Sequence, residues 1–88
     1  MSITQIGKVV YSLKGRDAGR PFAVVSVINE DFVMIADGKY HKMNNPKKKN
    51  VKHLTTKGEN LPQIAKKLEE GKQIFDGELN KALRSCIL

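Results

Sequence analysis

The chain has 88 residues, of which 40% are hydrophobic, and it carries a net charge of +7 at pH 7. A chain of this length predicts one small domain, or a domain with an appendage, and argues against a large enzyme active site. Its single cysteine, Cys86, excludes an internal disulfide. The sequence contains no apolar run of the roughly 18 residues that a membrane span needs. We therefore expect a cytoplasmic protein.

Five short strands are predicted in the first part of the chain, from runs of β-branched and aromatic residues separated by turn signals. We place them at residues 6–12, 22–28, 32–36, 39–43 and 51–54. Asp37-Gly38 is typical of a type I′ turn, in which both central residues have positive φ, and it precedes the fourth strand. Because connections this short leave no room for long crossovers, the pattern indicates a small, strongly bent antiparallel sheet or barrel.

The first two predicted strands are joined by a loop that contains the sequence GRDAGR, residues 15–20. Gly15 and Gly19 suit a tight reversal because glycine accepts positive φ at no steric cost. Their lack of a side chain also lets another backbone approach, and Arg16 and Arg20 can each make bidentate contacts to a phosphate. The loop therefore has two interpretations, as turn chemistry alone or as a holder of a nucleic-acid backbone.

A basic segment follows at residues 39–57, which contain no aspartate or glutamate. Its cationic side chains are Lys39, Lys42, Lys47, Lys48, Lys49, Lys52 and Lys57, together with His41 and His53. Such a segment attracts a polyanion and binds it by releasing condensed counterions, so nucleic acid is the first partner that we expect. A lysine-rich solvated surface is the alternative. Tyr40, within the segment, either stacks on an unpaired base or packs in the core.

Two short amphipathic helices are predicted after residue 56. Asn60 is expected to cap the first, which Gly71 ends, and Asp76 is expected to cap the second. Their apolar stripes are Leu61, Ile64, Ala65 and Leu68 in the first helix, and Leu79, Ala82, Leu83 and Cys86 in the second. Since neither helix is long enough to be stable alone, they dock on the barrel or on each other, or fold against a partner. We divide the chain into a barrel at residues 1–56 and a helical appendage at residues 57–88.

The histidines do not indicate a catalytic or metal site. His41 and His53 are separated by eleven positions of a strand-rich segment, and together with Asp17 they show neither a ligand spacing nor an activated nucleophile. Cys86 lies on the apolar stripe of the second predicted helix, where packing explains it better than reactivity does. We expect a protein that is not an enzyme and that holds no metal ion or cofactor.

The run IGKVVYSLKGRDAGRPFAVVSVI, residues 6–28, resembles a KOW motif, the strand, glycine-bearing loop and strand of several ribosomal proteins and transcription elongation factors. Three further features indicate which KOW proteins the chain resembles most: the loop KGRDAGR, the hairpin ending VMIADGK and the basic tract PKKKNVKHL. Together they most closely resemble the fourteenth large-subunit ribosomal protein of archaea and eukaryotes, and the small KOW-containing RNA-binding proteins of bacteria. The resemblance covers residues 4–56 and does not extend to the predicted helices.

This resemblance implies an SH3-like β-barrel of the KOW type that binds RNA, most often ribosomal RNA or the ribosome. The family's loop glycine matches Gly19, its basic and polar loop positions match Lys14, Arg16, Asp17 and Arg20, and its lysine-rich tract matches Lys47, Lys48, Lys49, Lys52 and His53. We therefore expect one RNA-binding face, composed of these residues and of Lys39, Tyr40, His41 and Lys42. The loop and the basic segment should then lie on the same side of the molecule, with no carboxylate between them.

Long basic, alanine-rich extensions are missing from the sequence, which favours a small bacterial accessory protein over a permanent ribosomal component. Two other functions remain open. The barrel edge or the helices can instead contact a protein, such as RNA polymerase or a ribosomal protein. Alternatively, the chain is a ribosome-assembly scaffold, with RNA on the barrel and a protein on the helices.

Overall fold

A computed structural model describes residues 3–87 of the chain. Within these residues the strands are β1 (Val9–Ser12), β2 (Pro21–Val27), β3 (Phe32–Ala36), β4 (Lys47–Asn50) and β5 (Leu54–Thr55). They form one antiparallel sheet in the order β4-β3-β2-β1-β5, and two helices follow, α1 (Pro62–Glu69) and α2 (Asp76–Ile87). This confirms the predicted mainly-β fold, a small SH3-like barrel followed by two short helices.

The sheet is built around the hairpin of β2 and β3, whose valine, isoleucine and phenylalanine side chains suit strands. Val24 pairs with Ile35, but the register shifts between Val24 and Ser26, which marks a β-bulge. A bulge bends its strand and increases the local twist. The bend therefore favours a curled sheet over a flat one.

One face of the curled sheet encloses a core. Its buried side chains are Val10, Phe22, Val24, Val33, Ile35 and Leu54, which come from every strand except β4. A 3₁₀ turn at Val51–His53 closes this side by leading the chain from β4 into β5. The Asn50 side chain starts the turn by accepting a hydrogen bond from the N–H of Lys52 at 2.9 Å.

The opposite face of the sheet is covered by the two helices. Side chains from both share one buried cluster, composed of Val9, Ala23, Val25, Ala36, Leu61, Ile64, Ile74, Leu79 and Leu83. Alternation along a strand explains the two cores, since neighbours such as Val9 and Val10 point to opposite faces. Of the possibilities that the sequence left open for the helices, docking on the barrel is found through this cluster, and the helices also contact each other through the ion pair of Lys67 and Glu78.

The predicted strand at residues 39–43 is wrong. These residues form a loop between β3 and β4, and the fourth strand is the lysine run at Lys47–Asn50. The Asp37 carboxylate causes the difference, because it takes up backbone N–H groups that a strand ladder would need. The predicted strand at residues 51–54 is also mostly wrong, since the 3₁₀ turn occupies all of it except Leu54.

The helix ends differ in part from the prediction. Leu61 rather than Asn60 is the N-cap of α1, and no side chain caps this helix. Asn60 instead pairs with Lys8 in an isolated β-bridge beside β1. Gly71 ends α1 as predicted, with a φ of +74°. Of the helices within residues 3–87, neither is long and apolar enough to cross a membrane.

Gly38→Ala is expected to destabilise the fold much more than Gly15→Ala. Both glycines have positive φ, +79° and +83°, so alanine at either position is strained by about 1–2 kcal/mol. At Gly38 a Cβ would also lie 2.1 Å from the backbone oxygen of Asp76, whereas at Gly15 it would meet nothing within 4 Å. We expect Gly38→Ala to lower the free energy of unfolding in urea by about 2 kcal/mol more than the control. Equal losses would contradict the close contact between this loop and α2.

Candidate nucleic-acid interface

The loop between β3 and β4 is folded by the carboxylate of Asp37. Its Oδ1 accepts hydrogen bonds from the backbone N–H groups of Lys39, Tyr40 and His41, each at 2.9 Å. The N–H of Asp37 donates in turn to the carbonyl of His41 at 2.9 Å. An aspartate that bonds the backbone just after it is a common turn former. Asp37 is therefore buried and used internally, while Lys39 and Lys42 after it are exposed.

The same loop is attached to α2 at two points. Asn80 Nδ2 donates to the carbonyl of Asp37 at 3.2 Å. The Asp76 Oδ1 accepts from the N–H of Met43 at 2.7 Å, so this carboxylate, predicted as a helix cap, holds the far end of the loop. Asp76 is itself the first residue of α2. The helical segment thus fixes the position of the first part of the basic segment.

The loop between β1 and β2 is closed by its own backbone. The N–H of Gly19 donates to the carbonyl of Ser12 at 2.7 Å, and the N–H of Arg20 donates to the carbonyl of Asp17 at 2.9 Å. Gly15 and Gly19 have φ values of +83° and +84°, which explains why glycine stands at both positions. A Cβ at either would meet nothing within 4 Å, so the outer surface of the loop is open to an approaching chain.

Asp17 joins this loop to the basic segment. Its Oδ2 lies 2.9 Å from His41 Nε2 and 3.5 Å from Lys47 Nζ, and its Oδ1 lies 3.8 Å from Arg20 Nη1. The His41 ring also packs on Phe22, with ring centroids 5.5 Å apart. Asp17 is only 9% exposed, so its carboxylate lies beneath the surface that its partners form.

These contacts lower the pKa of the Asp17 carboxyl. The hydrogen bond from His41 is the largest cause, and the electrostatic attraction of His41 and Lys47 acts in the same direction. Burial opposes them, because it disfavours the charged form. The carboxylate is consequently held ionised between its partners.

Two further contacts connect the loop to the basic segment. The N–H of Leu13 donates to the carbonyl of His53 at 2.8 Å, and Lys49 Nζ lies 3.4 Å from the carbonyl oxygen of Lys14. The loop and the segment therefore lie side by side, as expected. The expectation that no carboxylate lies between them is wrong, because Asp17 stands at their junction.

The lysine run of β4 is divided between the two faces of the strand. Lys47 and Lys49 reach toward the loop, through the contacts given above. Lys48 points the other way, and its Nζ lies 4.6 Å from the centre of the Phe32 ring. This follows from the alternation of side chains along a strand. Three consecutive lysines in the sequence thus supply two cations to the loop side and one to the opposite side.

Tyr40 lies on the surface, so its interpretation as a core residue is wrong. It is 53% exposed, and the guanidinium carbon of Arg20 lies 3.8 Å from the centre of its ring. Lys39 Nζ lies 5.3 Å from the same centre. Two cations beside one aromatic ring form favourable cation–π contacts. The cluster of Arg20, Lys39 and Tyr40 continues the junction at Asp17 toward α2.

The remaining predicted site residues surround these contacts. Lys14, Arg16, Lys42 and Lys52 are exposed, while His53 is half-buried. Arg84 and Asn80 of α2, which the sequence analysis did not select, line a cavity beside Tyr40. Their i, i+4 spacing places them on one side of the helix, but nothing local in the sequence says what that side faces.

The absence of a metal site stays a prediction, and the structure bears on it only within the described residues. Among residues 3–87, no group of three or more histidine, cysteine, aspartate and glutamate side chains is placed to hold a metal ion. Cys86 is half-buried against the core between sheet and helices, and burial raises the pKa of its thiol. A raised pKa leaves less of the reactive thiolate.

No family model matches the chain. It is similar to curated archaeal proteins named large ribosomal subunit protein eL14. That of Desulfurococcus amylolyticus is 32% identical over 81 residues, which is 90% of this chain and 84% of the relative. The protein of Pyrobaculum calidifontis is 29% identical over 86 residues, or 98% and 77% of the two chains. That of Staphylothermus marinus is 35% identical over 54 residues, or 61% and 56%. The similarity includes the helical segment, which the KOW resemblance did not cover.

Asp17→Asn is expected to destabilise the protein at pH 7 by about 1–3 kcal/mol, because it removes charge-assisted hydrogen bonds from a buried site. Because folding lowers the pKa of Asp17, the ionised carboxylate stabilises the fold at pH values above its ordinary pKa of 3.8. This contribution is lost as pH falls through the lower pKa of the folded protein. The stability difference between wild type and variant should therefore shrink as pH falls from 5 toward 2, measured by urea denaturation. Glu30→Gln, at an exposed acid, should show almost no difference throughout. A constant difference for Asp17→Asn would contradict this role of the ionised carboxylate.

Proposed function

Because the chain belongs to the family of large ribosomal subunit protein eL14, we propose that it is a non-catalytic protein that binds ribosomal RNA. The RNA lies on a basic face made by residues 13–20, the KOW loop, and residues 37–53. Contacts between these two segments hold the face together without a ligand. Its natural location is the ribosome in the cytoplasm.

The distribution of charge in this face supports the proposal most directly. Residues 13–20 and 37–53 contain two carboxylates and nine lysine and arginine side chains, of which Lys48 points away from the loop. Both carboxylates, Asp17 and Asp37, are buried, at 9% and 6% exposure, and are bonded to groups of this chain. The cations Lys14, Arg16 and Lys42 are exposed. An approaching phosphate therefore meets positive charge, because the negative charge is turned inward.

The contacts that this face offers are mainly to the RNA backbone. Lysine binds phosphate as a point charge, and Arg16 and Arg20 add planar, bidentate donors. Open surface at Gly15 and Gly19 allows the RNA chain to approach the loop backbone closely. Such contacts position a nucleic acid and read its shape, but they carry little sequence information. Binding at this face depends on RNA structure more than on base sequence.

Asp17 acts as a positioning residue in this account. It lies beneath the face and holds His41, Lys47 and Arg20 in fixed relation before RNA arrives. A face that is already arranged loses less side-chain entropy on binding. The family resemblance placed Asp17 among the RNA contacts, and we propose instead that it acts through these partners.

A protein contact through the helical segment is a second candidate. The observation in its favour is Phe75, which precedes α2 and is 65% exposed. Large exposed aromatic rings are typical of protein interfaces. A ribosomal neighbour contacting Phe75 is compatible with RNA on the basic face, as in the assembly-scaffold interpretation. That the chain is a small bacterial accessory protein stays a prediction, since the relatives reported above are archaeal ribosomal proteins.

RNA affinity should depend on the exposed cations of the basic face and not on exposed lysines elsewhere in the helical segment, residues 57–88. We compare Lys14→Ala/Arg16→Ala/Lys42→Ala with Lys66→Ala/Lys72→Ala/Lys81→Ala, which removes the same charge from exposed positions in and between the helices. The probe is deproteinised large-subunit ribosomal RNA. If about five phosphates are neutralised, log K falls against log salt with a slope of about −3.5 to −4.5.

For Lys14→Ala/Arg16→Ala/Lys42→Ala, the slope of log K against log salt should be less negative by about 2–3, because each lost phosphate contact changes the slope by about 0.7–0.9. This variant should also bind RNA more weakly at every salt concentration. The helical variant should keep nearly the wild-type slope. Equal losses for the two variants, or a wild-type affinity that hardly changes with salt, would contradict RNA binding at this face and favour the protein contact.

A further inference from the structure

A cavity of about 370 Å³ lies at one end of the basic face. Its walls come from three parts of the chain: the end of the KOW loop at Arg20, the β3–β4 loop at Lys39 and Tyr40, and α2 at Asn80 and Arg84. The bond from Asn80 to the Asp37 carbonyl joins the helix to the β3–β4 loop here, and the contact of Asp17 with His41 joins that loop to the KOW loop. The cavity is therefore formed only when the helical segment docks on the barrel.

The chemistry of this cavity is mixed in a particular way. Three cations, Arg20, Lys39 and Arg84, line the cavity together with the half-exposed ring of Tyr40, and the buried side chain of Leu83 forms its apolar floor. The one carboxyl among the lining residues is Asp37, whose Oδ1 already accepts three backbone hydrogen bonds. An aromatic ring, an apolar floor and several cations match the parts of a nucleotide, which are a flat base and a charged phosphate.

We propose that this cavity receives one unpaired nucleotide of the bound RNA, with its base against Tyr40 and a flanking phosphate held by Arg84. This rests on the proposed function, since the cavity shares Arg20, Lys39 and Tyr40 with the basic face. It adds a contact from α2 to RNA and gives the helical segment a part in recognition. A base inside a duplex cannot enter the cavity, so the site favours RNA that has an unpaired nucleotide.

An acidic protein side chain is the other occupant that the three cations would accept. Such a side chain would pair with the cations only, whereas a base can also stack on the Tyr40 ring, which is 53% exposed. Continuity with the basic face also favours RNA, because one polyanion can occupy the face and the cavity together.

The experiment compares two RNA probes, a single-stranded oligouridine of 20 nucleotides and a blunt-ended RNA duplex of 20 base pairs, by fluorescence anisotropy. Arg84→Ala is compared with Lys81→Ala, which removes a charge from the same helix outside this cavity. Tyr40→Leu is compared with Tyr40→Phe, which keeps the ring. The three side chains that these variants change are exposed, so the fold should be retained, and circular dichroism and thermal melting check this.

On single-stranded RNA, we expect Tyr40→Leu to weaken binding about 5- to 150-fold, because a stacked base is lost. Arg84→Ala should weaken binding about 5-fold, because a phosphate contact is lost. Lys81→Ala and Tyr40→Phe should stay within about twofold of wild type. On the duplex, Tyr40→Leu should bind like Tyr40→Phe, and Arg84→Ala should bind like Lys81→Ala, because a paired base does not enter the cavity. Equal effects of Tyr40→Leu or Arg84→Ala on the two probes would overturn the nucleotide site. So would equal affinities of each variant and its control for the single-stranded RNA.

The Lys14→Ala/Arg16→Ala/Lys42→Ala variant separates this proposal from the proposed function. It should weaken binding to both probes, since both present phosphates to the basic face. Loss of binding in this variant together with wild-type behaviour of Arg84→Ala would overturn the nucleotide site alone. No binding of either probe by the wild-type protein would overturn both proposals.

Discussion

The buried carboxylate of Asp17 is the interaction on which the basic face depends. Two segments rich in lysine and arginine repel each other, by about 1 kcal/mol for unit charges 4 Å apart in water and about 4 kcal/mol near a protein surface. Asp17 stands where they meet and has His41, Lys47 and Arg20 within 4 Å. Its one negative charge therefore converts a repulsive junction into a bonded one, and the loop and the segment can form a common surface.

Asp37 repeats this arrangement without an ion pair. It satisfies three backbone N–H groups and thereby turns Lys39 and its neighbours outward. In both places an acid is buried to shape the chain and a base is left at the surface to meet a partner. The lysines of β4 have a second physical effect, because β4 is an edge strand of the sheet. Lysine on an exposed edge hinders pairing with strands of other molecules.

The sequence predicted those parts of the fold in which one local signal dominates. The β-branched runs identified β1, β2 and β3, and the helical spacing of apolar residues identified α1 and α2. The prediction failed where a single side chain overrode the local pattern. Residues 39–43 were predicted as a strand, but the Asp37 carboxylate accepts hydrogen bonds from three of their own backbone N–H groups. Asn60 is a good capping residue by type, but its pairing with Lys8 draws it to the sheet.

The candidate site was predictable as a set of residues and not as a surface. Charge counting and the KOW resemblance selected the two basic segments, but neither shows that Lys48 faces away from Lys47 and Lys49, or that Asp17 is buried beneath its neighbours. Arg84 lies 44 positions after Tyr40 in the chain, and only the docking of α2 brings them to one cavity. Pairings at this range depend on the packed core, which no local pattern encodes.

Hydrogen–deuterium exchange of the chain, free and bound to large-subunit ribosomal RNA, tests the central claim most directly. If one continuous face carries the RNA, amides in residues 13–20 and in residues 37–53 should both slow on binding, over the same range of RNA concentration. Amides on the outer side of α1, at residues 62–70, should not change. Protection confined to the helices, or to only one of the two basic segments, would contradict the account.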